Sequence, residues 1–207
     1  KAAALELADR MAGGEKIDPK KEAASVLLRA DTAADIALFG RMLADNPSFN
    51  REAAAQVAHA ITTHKVSIED DYYTAVDDLK TSSEDAGAGF LGEAGFGSGV
   101  FYLYLCINKD LLKTNLGEED DGTLAAATLG ALTRAAATVA PSGKQNSFAA
   151  HARAHYILAE KGKQQPRTLA GAFAQPVTGT DIVGASIAQL KTFRDQLNKA
   201  YGPGSDA

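Results

Sequence analysis

The stretch HAITTHKVSIEDDYYTAVDD, His59 to Asp78, gathers two histidines, a set of carboxylates and two tyrosines. Such side chains can hold a metal or form an acid–base pair, and their spacing decides which. His59 and His64 stand five apart. That offset subtends roughly 140° on a helix, and on a strand it puts the rings on opposite faces. Neither geometry converges on one ion, unlike the i, i+4 pair of a zinc-protease helix, and no Glu follows the first His as a base. His151 and His155 do have that offset, but their stretch reads as a strand with no acid nearby in sequence. Asp70, Asp71, Asp77 and Asp78 could hold Mg²⁺ or supply acid–base chemistry. They lack EF-hand spacing, and they sit beside tyrosines in what reads as a loop with no apolar run to wall a pocket. A solvated face or a salt-bridging dock fits them better.

The glycine run GEAGFGSGV misses G-x-G-x-x-G, because Val100 or Tyr102 stands where the third glycine would fall. It also precedes a strand, so no helix N-terminus is there to hold a phosphate. PSGKQN has Thr138 in place of the first Walker glycine and no Ser or Thr after Lys144. Both stretches still offer flexible backbone N–H groups, and Lys144 a charge, to a nucleic-acid backbone. Cys106 has no CxxC partner and reads as a small buried residue. No catalytic residue, metal or cofactor is expected.

The elements that must position these residues read as follows. Residues 2–12 form a helix ending at Gly13-Gly14. Asp18-Pro19 caps a second helix through about Arg29. Ile36–Phe39 reads as a short buried strand, and the stretch after it as a polar loop with Pro47. The segment from Arg51 to Val66 is ambiguous between helix and strand. Residues 80–99 read as a long Gly/Ser-rich loop. GVFYLYLCIN is the clearest strand, with Phe101, Leu103, Leu105 and Ile107 as an apolar row opposite Tyr102, Tyr104 and Cys106. A helix over about Gly122–Val139 presents Leu129, Leu132, Ala136 and Val139. Another over about Ile182–Tyr201 presents Ile187, Leu190 and Leu197. Residues 146–160 read as one or two strands. Strands and helices mix without strict alternation, so the class is α+β.

At 207 residues the chain is one large domain or a domain with an appendage. Its single cysteine excludes an internal disulfide framework and fits a reducing, cytoplasmic setting. No apolar run approaches the roughly 18 residues of a membrane span. The first residue is not Met and KAAALELADR is no signal peptide, as in a piece of a longer chain. The net charge of −5 is unevenly spread. Between Val66 and Ala94, Lys80 stands alone against Glu69, Asp70, Asp71, Asp77, Asp78, Glu84, Asp85 and Glu93. Between Pro141 and Gln175, Lys144, Arg153, Lys161, Lys163 and Arg167 face only Glu160. Opposite patches on one chain suit docking of identical copies through unlike surfaces, although solvated faces are commoner.

Taken in order, DIALFGRM (35–42), AHAITTHKVSIEDDYYTAVDDL (58–79) and GFGSGVFYLYLCINKDLLKTNLG (95–117) resemble one family closely. It is the backbone (CasC-type) subunit of the type I-E CRISPR Cascade surveillance complex. PSGKQNSFAA (141–150) is similar to the family's Lys-Gln loop. The resemblance implies an RRM-like (ferredoxin-like) palm with a helical finger region and a protruding thumb loop or hairpin. On it, residues 1–34 are a helical finger-side segment and 35–66 palm strands. Residues 67–96 are the thumb with its acidic, Gly-rich loop, and 97–207 palm strands and packing helices.

The resemblance further implies copies stacked along CRISPR guide RNA, contacts with other Cascade subunits, and target DNA met through the guide. Tyr73 and Met42 would wedge against a displaced nucleotide, with Thr74 and Arg41 beside them and Lys144 and Gln145 on the RNA. Tyr72 is the alternative to Tyr73. Such contacts tolerate any sequence, as a protein serving every guide requires. Full-length members begin with a strand and a basic segment that this chain does not show, so weak RNA affinity and an open palm edge are expected. An RNA-cleaving relative using His59 or His64 as general base is the competing reading, disfavoured because neither has a second catalytic group in sequence. A protein-interaction module with an acidic loop is the third.

Overall fold

A computed structural model describes residues 2–18, 22, 32–75, 90–117 and 121–204. The chain forms two compact units, residues 1–57 with 105–157 and residues 58–104 with 158–207. The α+β class holds: the described strands pair as three antiparallel two-stranded ladders among helices.

In the first unit, α1 (Ala2–Ala12) stops at Gly13-Gly14 as expected. Arg10 ties its end to Glu15 at 2.6 Å and Glu22 at 3.0 Å, and that hydrogen bonding holds the Glu15 carboxyl below its ordinary range. The helix expected over Asp18–Arg29 lies outside the described residues except at 18 and 22. The strand expected at Ile36–Phe39 is instead a helix, α2 (Ala34–Phe39). Four apolar residues cannot separate a strand from a buried helical turn, and Gly40 decides it. Its φ of 76° ends the helix, and a Cβ there would lie 2.7 Å from the Arg51 carbonyl. The polar loop contains a 3₁₀ turn at Pro47–Phe49 with Phe49 buried.

The alanine-rich stretch resolves as strand β1 (Ala55–Val57). It pairs with β6 (Leu105–Ile107) in the register Ala55↔Ile107, Gln56↔Cys106, Val57↔Leu105. Helix α3 (Lys109–Leu116) was not anticipated. Asn108 caps it by accepting from the N–H groups of Asp110 and Leu111, and left-handed Gly117 ends it. Helix α4 (Thr123–Thr138) lies where expected but packs through its first half. Ala125 and Thr128 are buried and Leu129 and Leu132 partly so, whereas Ala136 is exposed and Val139 is 71% exposed. The core joins Ala37, Leu38, Ala54, Ala55, Leu112, Leu116 and Ala125. Within this unit, Asn115 is buried and its amide donates to the carbonyls of Ala37 at 3.0 Å and Glu52 at 2.9 Å. Residues 146–160 form no strand; the short helix α5 (Gln145–Phe148) is followed by chain without a ladder. Its Ala154 N–H donates to the Ala137 carbonyl at 2.9 Å, but no ladder follows from that bond.

In the second unit, β2 (Ile61–Thr62) pairs with β5 (Phe101–Tyr102), and β3 (Glu69–Ala75) pairs with β4 (Phe90–Phe96). Phe90–Phe96 had been expected to be loop, and so had the acids of β3. Glycine weakens a strand but does not forbid one when a partner strand lies alongside. The expected single strand GVFYLYLCIN breaks at Leu103-Tyr104 into β5 and β6, where the chain passes between units. Its apolar row is not the buried side at β5. Phe101 is 55% exposed, while half-buried Tyr102 packs on Phe173 with ring centroids 5.5 Å apart and receives the Leu169 N–H at 3.0 Å. Helix α6 (Ile182–Tyr201) matches expectation: Asp181 accepts from Gly184 N–H at 2.9 Å, and Leu190 is buried with Ile187 and Leu197 partly so.

Replacing Asn115 by Ala leaves the buried Ala37 carbonyl and the partly buried Glu52 carbonyl without their donor. Urea unfolding is expected to show a loss of about 2 kcal/mol with little change in slope. Asn115→Asp is expected to cost at least as much.

Candidate functional site

The β3–β4 ladder sets seven cross-strand pairs, from Glu69↔Phe96 to Ala75↔Phe90. Strand alternation then sorts its side chains. Glu69, Asp71 and Tyr73 share one face; Asp70, Tyr72 and Thr74 share the other. Tyr73 stands opposite Gly92, and its ring lies across that glycine so closely that a Cβ at 92 would collide with it. The missing side chain is what lets the ring lie down on the ladder. Tyr73 is 48% exposed and Tyr72, opposite Glu93, is 65% exposed. Thr74, Glu69, Asp70, Asp71 and Glu93 are exposed too. An aromatic with a fixed orientation therefore sits on a strongly acidic ladder. Residues 76–89, including Asp77, Asp78, Glu84 and Asp85, lie outside the described residues.

From the end of this ladder onward three alternate glycines, Gly95, Gly97 and Gly99, face β-branched residues of the incoming chain. Built Cβ atoms would come within 3.3 Å of Ile68 at Gly95, 3.7 Å of Val66 at Gly97 and 3.0 Å of Val66 at Gly99. The spacing that failed as a nucleotide motif is a strand-packing pattern. Its signal, glycine at every second position before a strand, was present in the sequence. A shallow cleft of about 520 Å³ opens here, lined by Thr62, His64, Val66, Ile68, Gly97 and Phe101 among others.

His64 is tied to the backbone at both ends of its ring. Its Nδ1 donates to the Lys65 carbonyl at 2.9 Å, so its Nε2 is the acceptor for the Val100 N–H at 3.1 Å. Both ring nitrogens are engaged by backbone. His59, His151 and His155 are exposed. Among the described residues no three His, Cys, Asp or Glu side chains come together as a metal site. Cys106, expected to be buried, is half-buried against its β1 partner strand.

The remaining candidates lie in the first unit. Gly40 turns the chain out of α2, Arg41 pairs with Arg51 through both backbone groups, and Arg41 Nε donates to the Phe49 carbonyl at 3.0 Å. Leu43 N–H is held by Asn50 Oδ1 at 2.7 Å. Between these anchors Met42 is 84% exposed. Lys144 is exposed with φ 58°, and Gln145 beside it is half-buried, its amide donating to the carbonyls of Pro141 and Ala150. These candidates stand as three pairs of chain neighbours, Arg41–Met42 and Lys144–Gln145 in the first unit and Tyr73–Thr74 in the second.

The model of the CT1975-like protein family matches residues 1–207. Among solved structures, a chain of a "CRISPR RNA-guided surveillance complex, pre-nicking" superposes with a TM-score of 0.69 at 29% identity, covering 98% of this chain and 55% of that one. A chain of a "CRISPR RNA-guided surveillance complex" superposes with a TM-score of 0.62 at 32% identity, covering 82% of this chain and 64% of that one. The chain therefore spans between about half and two thirds of these chains' lengths. Comparison with curated protein sequences gives no match.

The Tyr73 ring over Gly92 is measurable. The Gly92 Hα resonances are expected upfield of their ordinary position, and Tyr73→Ala should return them. Gly92→Val should force the ring off the ladder; a Tyr73 spectrum unchanged in that variant would contradict the packing.

Proposed function

The chain belongs to the CT1975-like protein family, and on that premise we propose that it is a non-catalytic, RNA-binding backbone subunit of a type I-E Cascade complex. Copies polymerise along CRISPR guide RNA, contact other Cascade subunits, and meet foreign DNA through the guide in antiviral defence. The setting is cytoplasmic, in line with the single cysteine, and no membrane is involved. Among the described residues no helix is long and apolar enough to cross one.

The observation that carries this reading is Tyr73, an aromatic ring fixed half-exposed across a glycine on an exposed ladder. Ring faces and apolar tips separate or stack bases without reading their edges, so they serve any guide sequence. Tyr73 and exposed Met42 are the wedge residues, with Thr74 and Arg41 supporting them, and the loop of Lys144 and Gln145 meets the RNA backbone through Lys144. Residues 67–96 act as the thumb. The short ladders of 35–66 and 97–207 belong to an RRM-like palm, and 1–34 to the finger side. The engagement of both His64 nitrogens by backbone supports a non-catalytic role over the endoribonuclease reading.

Tyr73→Ala and Met42→Ala are expected to keep the fold and to shorten or blur the nuclease-protected pattern of co-purified guide RNA. Unaltered protection in both variants would exclude the wedge role. Repeat RNA cut by the wild-type chain and spared by His59→Ala or His64→Ala would favour the nuclease instead. Lys144→Ala should weaken binding equally across RNA sequences and lower the slope of log affinity against log salt by about 0.7.

A further inference from the structure

Resting on the reading of Lys144 as a phosphate contact, we propose that Gln145 is a positioning residue whose carboxamide holds the 141–150 loop closed and so sets Lys144. The geometry separates the two neighbours. Lys144 is exposed, and its ammonium has no partner among the described residues. Gln145 points inward: Nε2 donates to the carbonyl of Pro141 on one side and of Ala150, at 3.1 Å, on the other. One side chain therefore spans both ends of the loop.

The amide cannot be turned round, since Oε1 would then face two carbonyl oxygens. In the observed orientation Oε1 is buried with no partner among the described residues, so this side chain is not presenting an acceptor to solvent.

What the clamp holds is a conformation that needs holding. Lys144 at φ 58° and Ala149 at φ 49° are the positive-φ non-glycine residues among those described, and they bracket the four-residue helix α5. L side chains rarely adopt that region, and such residues persist only where surroundings enforce them. The Lys144 carbonyl accepts from Ser147 N–H at 3.1 Å and Phe148 N–H at 2.9 Å, and the Gln145 carbonyl from Ala149 N–H at 2.8 Å. Opening the Pro141–Ala150 clamp releases that turn and with it the direction of the Lys144 side chain. In this arrangement Gln145 acts on RNA only through Lys144.

The test uses the whole chain as wild type, Gln145→Ala, Gln145→Glu, Lys144→Ala and the Lys144→Ala/Gln145→Ala double variant. Far-UV circular dichroism checks that the helices remain. Amide hydrogen exchange of Phe148 and Ala149 is read first and needs no RNA. Both Gln145 variants should lose protection there, because neither Ala nor a carboxylate can donate to the two carbonyls, while Lys144→Ala should keep it. Retained protection in Gln145→Ala overturns the inference.

Binding of a fluorescein-labelled single-stranded RNA is then titrated across salt, starting near 50 mM. Gln145→Ala should lower the salt slope as Lys144→Ala does, although it removes no charge, and the double variant should bind no worse than Lys144→Ala alone. Additive losses, with the slope kept in Gln145→Ala, would make Gln145 an independent RNA contact and overturn the inference. Should Lys144→Ala leave RNA binding and slope untouched while Gln145→Ala opens the loop, the clamp stands and the RNA role of Lys144 falls.

Discussion

The ladders of the second unit hang on the buried threonine Thr63, which is 2% exposed. Its N–H donates to the Val100 carbonyl at 2.9 Å, its carbonyl accepts from Val177 N–H at 2.9 Å, and its hydroxyl receives Ser186 Oγ at 2.8 Å. Strand, returning strand, the segment before α6 and α6 itself therefore meet at one residue. A buried polar network with every partner in place fixes register, because a one-residue slip would strand each of those groups in turn. His64 repeats the device one residue on, holding Val100 from the side-chain end. The ITTH motif that looked chemical is thus architectural. From this fixed point the chain runs out through Val66 and Ile68 into β3, so the placement of Tyr72 and Tyr73 on opposite faces is settled before either is reached. Asn115 does comparable work in the first unit, joining α3 to α2 and to the segment before β1.

Long elements with explicit ends were legible. Helix α1 has its Gly-Gly stop, α6 its Asp181 cap, and α4 a sustained apolar period. Short elements were not. Ile36–Phe39 could be either strand or helix until Gly40 was seen closing on Arg51, a contact between residues eleven apart that no local pattern records. β4 was hidden by its own glycines, which read as loop until the opposing Tyr73 and Ile68 are known. The missed α3 is a different matter: Asn108, Asp110 and Gly117 are ordinary start and stop signals, obscured by reading the segment as the tail of a strand. Tyr73 as a candidate came from family resemblance; its dependence on Gly92 needed the cross-strand register, which the sequence does not contain.

Charge placement narrows how such a chain could hold a polyanion. The ladder bearing Tyr72 and Tyr73 also exposes Glu69, Asp70, Asp71 and Glu93, so it cannot attract phosphate by charge. Any contact it makes with RNA must come from ring faces, at a distance from the backbone. If the chain holds RNA as proposed, phosphate attraction has to come from other residues, Lys144 among them. On the proposed reading, acid around Tyr73 repels the RNA backbone from the ladder and leaves the base as the group that can approach. On the proposed role, the same acids and the cations from Lys144 to Arg167 would let copies of one chain dock through unlike patches, a heterologous contact of the kind that extends a filament rather than closing a dimer. A net charge of −5 is therefore compatible with a backbone role provided the parts are segregated, and segregated is how the sequence lays them out.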